Sequence, residues 1–160
     1  MAALTEDGRG AESFETAFAM EISPAPEDFD ELGHVNNAVY LRWAQEVAVR
    51  HWAATAPAAM RAEKIFVILR HEIDYRDPVL PGERVVGRTW LGAAKGPRFE
   101  RYVDLRKPDA LKPSASVKSV WCMIDMATRR PLRIGQDVLD AFGVSGAPSG
   151  FPSAAAGGSR

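Results

Sequence analysis

The chain has 160 residues, of which 46% are hydrophobic and 26% are charged, a composition typical of one globular domain. Twenty Lys and Arg against 21 Asp and Glu give a net charge of -1, which disfavours a nucleic-acid partner. The sequence contains neither a secretory leader nor the roughly 18 consecutive apolar residues of a membrane span, so we expect a cytoplasmic protein without membrane contact. With the single Cys122 and three scattered histidines, we expect no disulfide, no metal site and no cofactor.

Both ends of the chain are rich in small and polar residues. Residues 1–12 and 145–160 therefore predict flexible tails around a single folded domain that spans residues 13–144. Inside that domain, the alternation from Phe14 to Ile22 predicts a first strand, which ends before the next two prolines.

A long helix is predicted next. Between Ala38 and Ala56, apolar and small residues recur at three- and four-residue spacing, which is the pattern of a helix with one buried face. Asn36 or Asn37 is the expected N-cap, and Pro57 ends or kinks the helix. At about 18 to 20 residues, it would span nearly 30 Å.

The remaining chain predicts a sheet. A period of two begins at Ile65 and continues to Arg76, and three more extended runs follow, separated by turns that include Gly92, Gly96 and Pro97. These runs are Arg84 to Leu91, Arg98 to Arg106, and Ser116 to Met126. One strand, one long helix and four strands predict an α+β fold, in which a five-stranded antiparallel sheet covers the helix. Because its edge strands stay unpaired, we expect at least a homodimer.

The passage between the first strand and the helix, DFDELGHVNNAVY, differs from a plain loop. It brings carboxylates, a glycine, an imidazole and carboxamides to a helix N-terminus, where unpaired N–H groups favour negative charge. Such groups suit acyl transfer or hydrolysis, because the amides stabilise an oxyanion while a carboxylate attacks the carbonyl or activates water. The same residue types also serve ordinary turns and caps, so composition leaves both interpretations open.

Two strings resemble the 4-hydroxybenzoyl-CoA thioesterase-like family of the hot-dog fold. They are DFDELGHVNNAVYLRW and HEIDYRDPVLPGERV, and the resemblance covers roughly residues 14–140. It implies a long central helix wrapped by a five-stranded antiparallel sheet, and subunits that assemble as dimers or dimers of dimers with acyl-thioester sites at their interface. It also implies an acyl-CoA thioesterase that hydrolyses its substrate to a carboxylic acid and free CoA.

The resemblance also implies site residues. Asp30 matches the catalytic carboxylate and would act as nucleophile or as general base to water. The backbone N–H of Asn37 would polarise the thioester carbonyl, and Gly33 would permit close approach of the thioester. Oxyanion and thioester contacts are expected from the loop and the start of the helix: Gly33, His34, Val35, Asn36 and Asn37. Asp28 is expected to order the loop.

Three other side chains are weaker candidates for functional roles. Lys95 and Arg98 flank a Gly-Pro turn, in the segment where the resemblance implies cations for the CoA phosphates, although charges on an exposed turn explain them equally. Glu46 lies in the helix, where another hot-dog branch places its carboxylate, and we interpret it as pocket wall or structural partner.

Two alternative functions fit the same residues. One is a non-catalytic module that binds acyl-CoA or an acyl carrier, and another is a thioesterase that acts on acyl-carrier-protein thioesters. A hydratase or dehydratase of the same fold is disfavoured, because its Pro-Gly-His or Asp-x-Asn-Pro-x-His strings do not occur. Measuring release of a free thiol separates hydrolysis from binding.

Overall fold

The computed structural model describes Phe14 and residues 16–143, so both predicted tails, and residues 13, 15 and 144 of the predicted domain, lie outside the described residues. In chain order, the elements are β1 (Phe18–Ile22), a 3-10 helix (Pro26–Asp28), α1 (Asn37–Thr55), α2 (Ala58–Glu63), β2 (Lys64–Tyr75), β3 (Val85–Lys95), β4 (Arg98–Arg106), β5 (Ala115–Asp125) and α3 (Gln136–Ala141). No helix in this part of the chain is long and apolar enough to cross a membrane.

The five strands form one sheet in the order β1-β3-β4-β5-β2, and every neighbouring pair is antiparallel. Helix α1 contacts β1, β3, β4 and β5, so it lies across one face of this sheet. The predicted α+β architecture of one long helix and a five-stranded antiparallel sheet is confirmed.

Helix α1 follows directly from its sequence. Asn36 is the N-cap, and its Oδ1 accepts the Ala38 N–H at 2.9 Å. Six residues at helical spacing form the buried face: Tyr40, Trp43, Ala44, Val47, Ala48 and His51. The helix ends before Pro57, because proline has no N–H to continue the hydrogen-bond ladder.

The core consists of two clusters along α1. The first packs Trp43 and Val47 against strand residues such as Leu105, and the second packs Ala48 against Phe99 and residues of α3. Each cluster borders one of the two cavities described below. The N-terminal and C-terminal halves of α1 therefore face different surroundings.

The structure differs from the predicted strands at the start of β1 and along β3. β1 begins at Phe18, because the chain makes a turn before it in which the Ala17 N–H bonds to the Phe14 carbonyl. The turn assignment of Gly92 was wrong: β3 passes through an irregularity between Leu91 and Ala94 and continues to Lys95. A Cβ at Gly92 would lie 2.6 Å from Cε2 of Tyr102, so this glycine permits close packing inside the sheet.

A register shift between Ile68 and Arg70 divides β2. Ile68 packs inward before the shift and Ile73 packs inward after it, so the inward side chains change from even to odd positions. β2 is an edge strand of 12 residues that leaves Val67 and Leu69 exposed. Such an edge offers unpaired backbone groups and apolar side chains to another chain.

The close approach of α1 to β3 gives a stability prediction. A Cβ at Gly87 would lie 2.6 Å from Cγ2 of Val47 and 3.3 Å from Cδ2 of Leu105. We expect Gly87→Ala to lower the free energy of unfolding by about 1–3 kcal/mol, because the added methyl overpacks a filled core. Urea denaturation measures this loss, and Val47→Ala should cost less in the Gly87→Ala background than in the wild type. An unchanged unfolding midpoint would contradict the packing described here.

Candidate active site

The loop between β1 and α1 folds back on itself. Phe29 and Val35 form an isolated antiparallel bridge, and the Asp30 N–H donates to the His34 carbonyl at 2.8 Å. The Gly33 N–H donates to the Asp30 carbonyl at 3.0 Å, and Gly33 has a φ of +72°. A Cβ at Gly33 would meet no atom within 4 Å, so the visible reason for glycine here is backbone conformation.

This fold of the loop orients the Asp30 carboxylate. Its Oδ1 accepts the N–H groups of Leu32 at 2.9 Å and His34 at 3.3 Å. Within the described part of the chain, Oδ2 makes no hydrogen bond and Asp30 has no ion-pair partner. One oxygen is therefore fixed by the backbone, while the other is available to water or to a substrate.

The first turn of α1 leaves one amide available. The Asn36 side chain accepts the Ala38 N–H, and the Asn36 carbonyl accepts the Val39 N–H at 2.9 Å. Among residues 14 and 16–143, no acceptor takes the Asn37 N–H. Because helix N-terminal amides carry partial positive charge, this amide is suited to bind an oxyanion or a polarised carbonyl.

Asp30 and Asn37 both line one cavity of about 470 Å³. Five of the predicted site residues line it, namely Asp30, His34, Val35, Asn36 and Asn37. Gly33 is not among the lining residues. Val35 is buried and donates its N–H to the Val79 carbonyl at 3.0 Å, which ties the loop to the chain after β2.

Sequence reasoning missed the opposite wall of this cavity. Tyr75, Arg76, Asp77 and Pro78, from the end of β2 and the loop after it, lie beside Ser114, which precedes β5. The Tyr75 hydroxyl donates to the Asn37 carbonyl at 2.9 Å, and burial raises its pKa. The Ser114 Oγ is buried and has no hydrogen-bond partner among the described residues. The second string of the family resemblance contains the first four of these residues, and it is the signal that could have found them.

The structure gives Asp28 and Glu46 supporting roles. Asp28 is buried, with Oδ1 accepting from Arg42 at 2.6 Å and Oδ2 from the Ala25 N–H at 2.8 Å. Its carbonyl also accepts the Asn36 N–H, so Asp28 fixes the loop to α1. Glu46 lies outside the cavity, 3.7 Å from Arg42, and is a structural partner.

Lys95 and Arg98 are paired residues at the β3–β4 turn, and neither lines the cavity of Asp30. Arg98 pairs with Cys122, which lies seven residues along β5 from Ala115. Ser114, which lines the Asp30 cavity, directly precedes Ala115. At about 3.3 Å per residue, the seven residues from Ala115 to Cys122 span about 23 Å, so a single chain places Lys95 and Arg98 at the end of the sheet opposite to the Asp30 cavity.

A second polar cluster lies beneath α1. Arg101 Nη1 is 3.2 Å from His51 Nδ1 and 3.0 Å from Thr89 Oγ1. Burial first, and the positive charge of Arg101 second, lower the pKa of His51 to about 4, while burial lowers the pKa of Arg101 to about 9. At neutral pH, His51 is therefore an uncharged acceptor and Arg101 is a cation.

The pKa of His51 predicts how stability depends on pH. The unfolded histidine binds its proton near pH 6.5 and the folded one only near pH 4, so stability is complete above pH 6.5 and is lost on acidification below it. By this linkage, His51 alone should remove about 2 kcal/mol between pH 7.5 and 5. Urea denaturation at both pH values measures the loss, and His51→Gln should reduce it by that amount. The same pH dependence in both proteins would contradict the buried neutral state.

Comparison with solved structures finds the same fold. A protein from Pseudomonas aeruginosa strain PAO1 superposes with a TM-score of 0.72 at 20% identity, covering 81% of this chain and 92% of that one. A 1,4-dihydroxy-2-naphthoyl-CoA thioesterase from Synechocystis gives 0.67 at 16% identity, covering 79% and 95%. A thioesterase from Thermus thermophilus, complexed with coenzyme A and Zn, gives 0.67 at 22% identity, covering 78% and 90%.

These superpositions establish the hot-dog fold of the chain. No curated protein matches the sequence. Residues 24–142, most of the described chain, match the family profile of the thioesterase-like superfamily, which confirms the family that the two sequence strings resemble. The chain therefore belongs to the thioesterase-like superfamily, and it is a thioester hydrolase.

Proposed function

We propose that this protein is an acyl-CoA thioesterase, with Asp30 as the group that attacks the thioester or activates water. One observation carries the proposal: Asp30 and Asn37 line the same cavity. Within the described residues, Oδ2 of Asp30 accepts no hydrogen bond and the Asn37 N–H donates none. Thioester hydrolysis needs a base or nucleophile and a donor for the developing oxyanion, and these two groups supply both.

Two routes fit this arrangement. As a general base, Asp30 takes a proton from a water whose oxygen attacks the carbonyl. The C–S bond then breaks, and the proton on Asp30 passes to the departing CoA thiolate, which leaves free CoA and the acid. As a nucleophile, Asp30 displaces the CoA thiolate to form a mixed anhydride, which water then cleaves to the acid and the free carboxylate. In both, the Asn37 N–H stabilises negative charge on the carbonyl oxygen.

The other lining groups support binding and orientation. His34 and the side chain of Asn36 lie beside Asp30 in the cavity, and we assign them contacts to the thioester or to the water. Val35 and Gly33 hold the loop in the shape that presents the carboxylate.

A dimer formed through β2 would complete this site. The cavity of Asp30 lies at the end of β2, since Tyr75 lines it, and β2 is an exposed edge. Antiparallel pairing of β2 with a second copy brings the start of that copy's β2 to this end. Its Lys95 and Arg98 then lie at the same end of the joined sheet, where they are available to the CoA phosphates.

Coenzyme A is the proposed thiol carrier. One of the similar structures is a 1,4-dihydroxy-2-naphthoyl-CoA thioesterase and another is a thioesterase complexed with coenzyme A, which favours CoA over a carrier protein. The test is free-thiol release from short, medium, long and aryl acyl-CoA esters, each compared with the same acyl group on acyl-carrier protein. We expect a higher kcat/KM for one class of CoA ester. A preference for the carrier-protein ester would overturn the assignment to CoA, and binding without turnover would overturn hydrolysis.

A further inference from the structure

A second cavity, of about 360 Å³, lies between the C-terminal half of α1 and the start of β2. Its walls include four large aromatic side chains: Trp52, Phe66, Phe99 and Trp121. Three cations, Arg61, Lys64 and Arg101, complete its charged lining, which contains no Asp or Glu. The volume is at the small end of the range for ligand pockets, so the lining suits a small apolar group with a negative end.

Arg101 is the unusual member of this lining, because it is a buried cation that makes no ion pair within the described residues. It is 2% exposed, and its two hydrogen bonds both use Nη1, toward the neutral acceptors of His51 and Thr89. The Nε–H is buried and has no partner among the described residues. Folded proteins rarely leave such a donor and charge uncompensated, because each has lost its hydration.

Aromatic rings offset part of this charge. The guanidinium carbon lies 5.6 Å from the ring centroid of Phe99, 5.8 Å from that of Trp121 and 5.1 Å from that of Phe142. Ring faces attract a cation, yet they do not accept the paired, directional N–H bonds that a carboxylate accepts from a guanidinium. The strongest partner for Arg101 is thus absent from the described chain.

We propose that this second cavity binds the carboxylate of a small apolar acid, with Arg101 holding the carboxylate and the aromatic side chains enclosing the apolar part. Arg61 adds positive charge to the lining, which favours an anion over a neutral ligand, whereas the charge of Lys64 is balanced by Asp137 at 3.4 Å. The acid has two sources: a free carboxylic acid, or the far end of an acyl group that carries a second carboxylate. The inference concerns binding alone and does not rest on hydrolysis at Asp30.

The test compares octanoate with octanamide, which has the same chain and no charge. We expect isothermal titration calorimetry to show that the wild type binds octanoate at least tenfold more tightly than octanamide. Arg101→Met should bind the two with equal affinity, and Arg101→Lys should keep part of the preference because it keeps the charge but not the paired donors. Arg101→Met should also unfold at a temperature no lower than the wild type, since it removes an unpaired buried charge.

A second variant keeps the test independent of Arg101. Ala53 is exposed on α1 and lines the cavity, so Ala53→Phe should fold and weaken octanoate binding at least tenfold by filling the space. Equal affinity of the wild type for octanoate and octanamide would overturn the proposal. So would a preference for octanoate that survives in Arg101→Met, or octanoate binding that Ala53→Phe leaves unchanged.

The two sources are separated with thioesters. Suberoyl-CoA carries a terminal carboxylate that octanoyl-CoA lacks, so the ratio of their kcat/KM values reports recognition of that group. A ratio that falls at least tenfold in Arg101→Met assigns the cavity to the acyl end. An unchanged ratio, together with Arg101-dependent octanoate binding, assigns it to a free acid. Octanoate binding is measured without any thioester, so a failure of hydrolysis leaves that result intact.

Discussion

Asp30→Asn is expected to lower kcat for thiol release from acyl-CoA by about 10³-fold, while KM changes little. Asparagine keeps the size of the side chain, and its Oδ1 can still accept from the Leu32 and His34 amides. It lacks the negative charge that removes a proton from water or attacks the carbonyl. The loss therefore falls on the chemical step, and a thiol-reactive dye measures it at matched folded concentrations.

A neighbouring carboxylate provides the matched control. Glu31 is exposed and does not line the cavity, so Glu31→Gln removes the same charge from the same loop and should keep wild-type turnover. Equal activity of Asp30→Asn and the wild type would contradict the role of Asp30. Equal losses in both variants would show that the loop's net charge, rather than the position of one carboxylate, determines the rate.

The second large effect concerns assembly. Val67 and Leu69 are exposed on the edge strand β2, and replacing both with Lys places two like charges where a second copy would pair. We expect the dissociation constant of the proposed β2 dimer to rise at least about 100-fold, because each buried apolar contact at an interface contributes roughly 1–2 kcal/mol. Analytical ultracentrifugation measures this shift, and thiol release should fall as the monomer accumulates.

Leu111→Lys is the control for this double variant, since Leu111 is 98% exposed in the loop between β4 and β5 and is not part of the edge strand β2. It should leave both the assembly and the activity unchanged. A double variant that stays dimeric would place the interface elsewhere. A fully active monomer would show that the Asp30 site is complete within one chain.

Much of the fold was predictable from local patterns. The helical spacing of Tyr40, Trp43 and Val47 located α1, and the Asn36 cap fixed its start to within a residue. The predicted bounds of β4, Arg98 and Arg106, agree with those of the structure because a Gly-Pro turn precedes the strand and Pro108 follows it closely. These signals are local, so a single sequence contains them.

Other features depend on tertiary contacts. Gly92 resembles a turn residue in the sequence, yet the packing of Tyr102 makes it part of a strand. Ser114 and Tyr75 enter the candidate site only because the ends of two strands meet beside α1. Nothing in the sequence indicated a special role for Arg101. The alternation in β4 does not reveal that this cation is buried and faces an aromatic cavity whose lining has no carboxylate.

The most direct test of thioester hydrolysis at Asp30 is the stoichiometry of products from one responsive acyl-CoA ester, with the wild type and Asp30→Asn measured in parallel. Free thiol is quantified with a thiol-reactive dye and the carboxylic acid by chromatography. We predict equal amounts of both products, formed over many turnovers by the wild type and about 10³-fold more slowly by the variant. Tight binding of acyl-CoA by both proteins, with no thiol released by either, would contradict hydrolysis at this site.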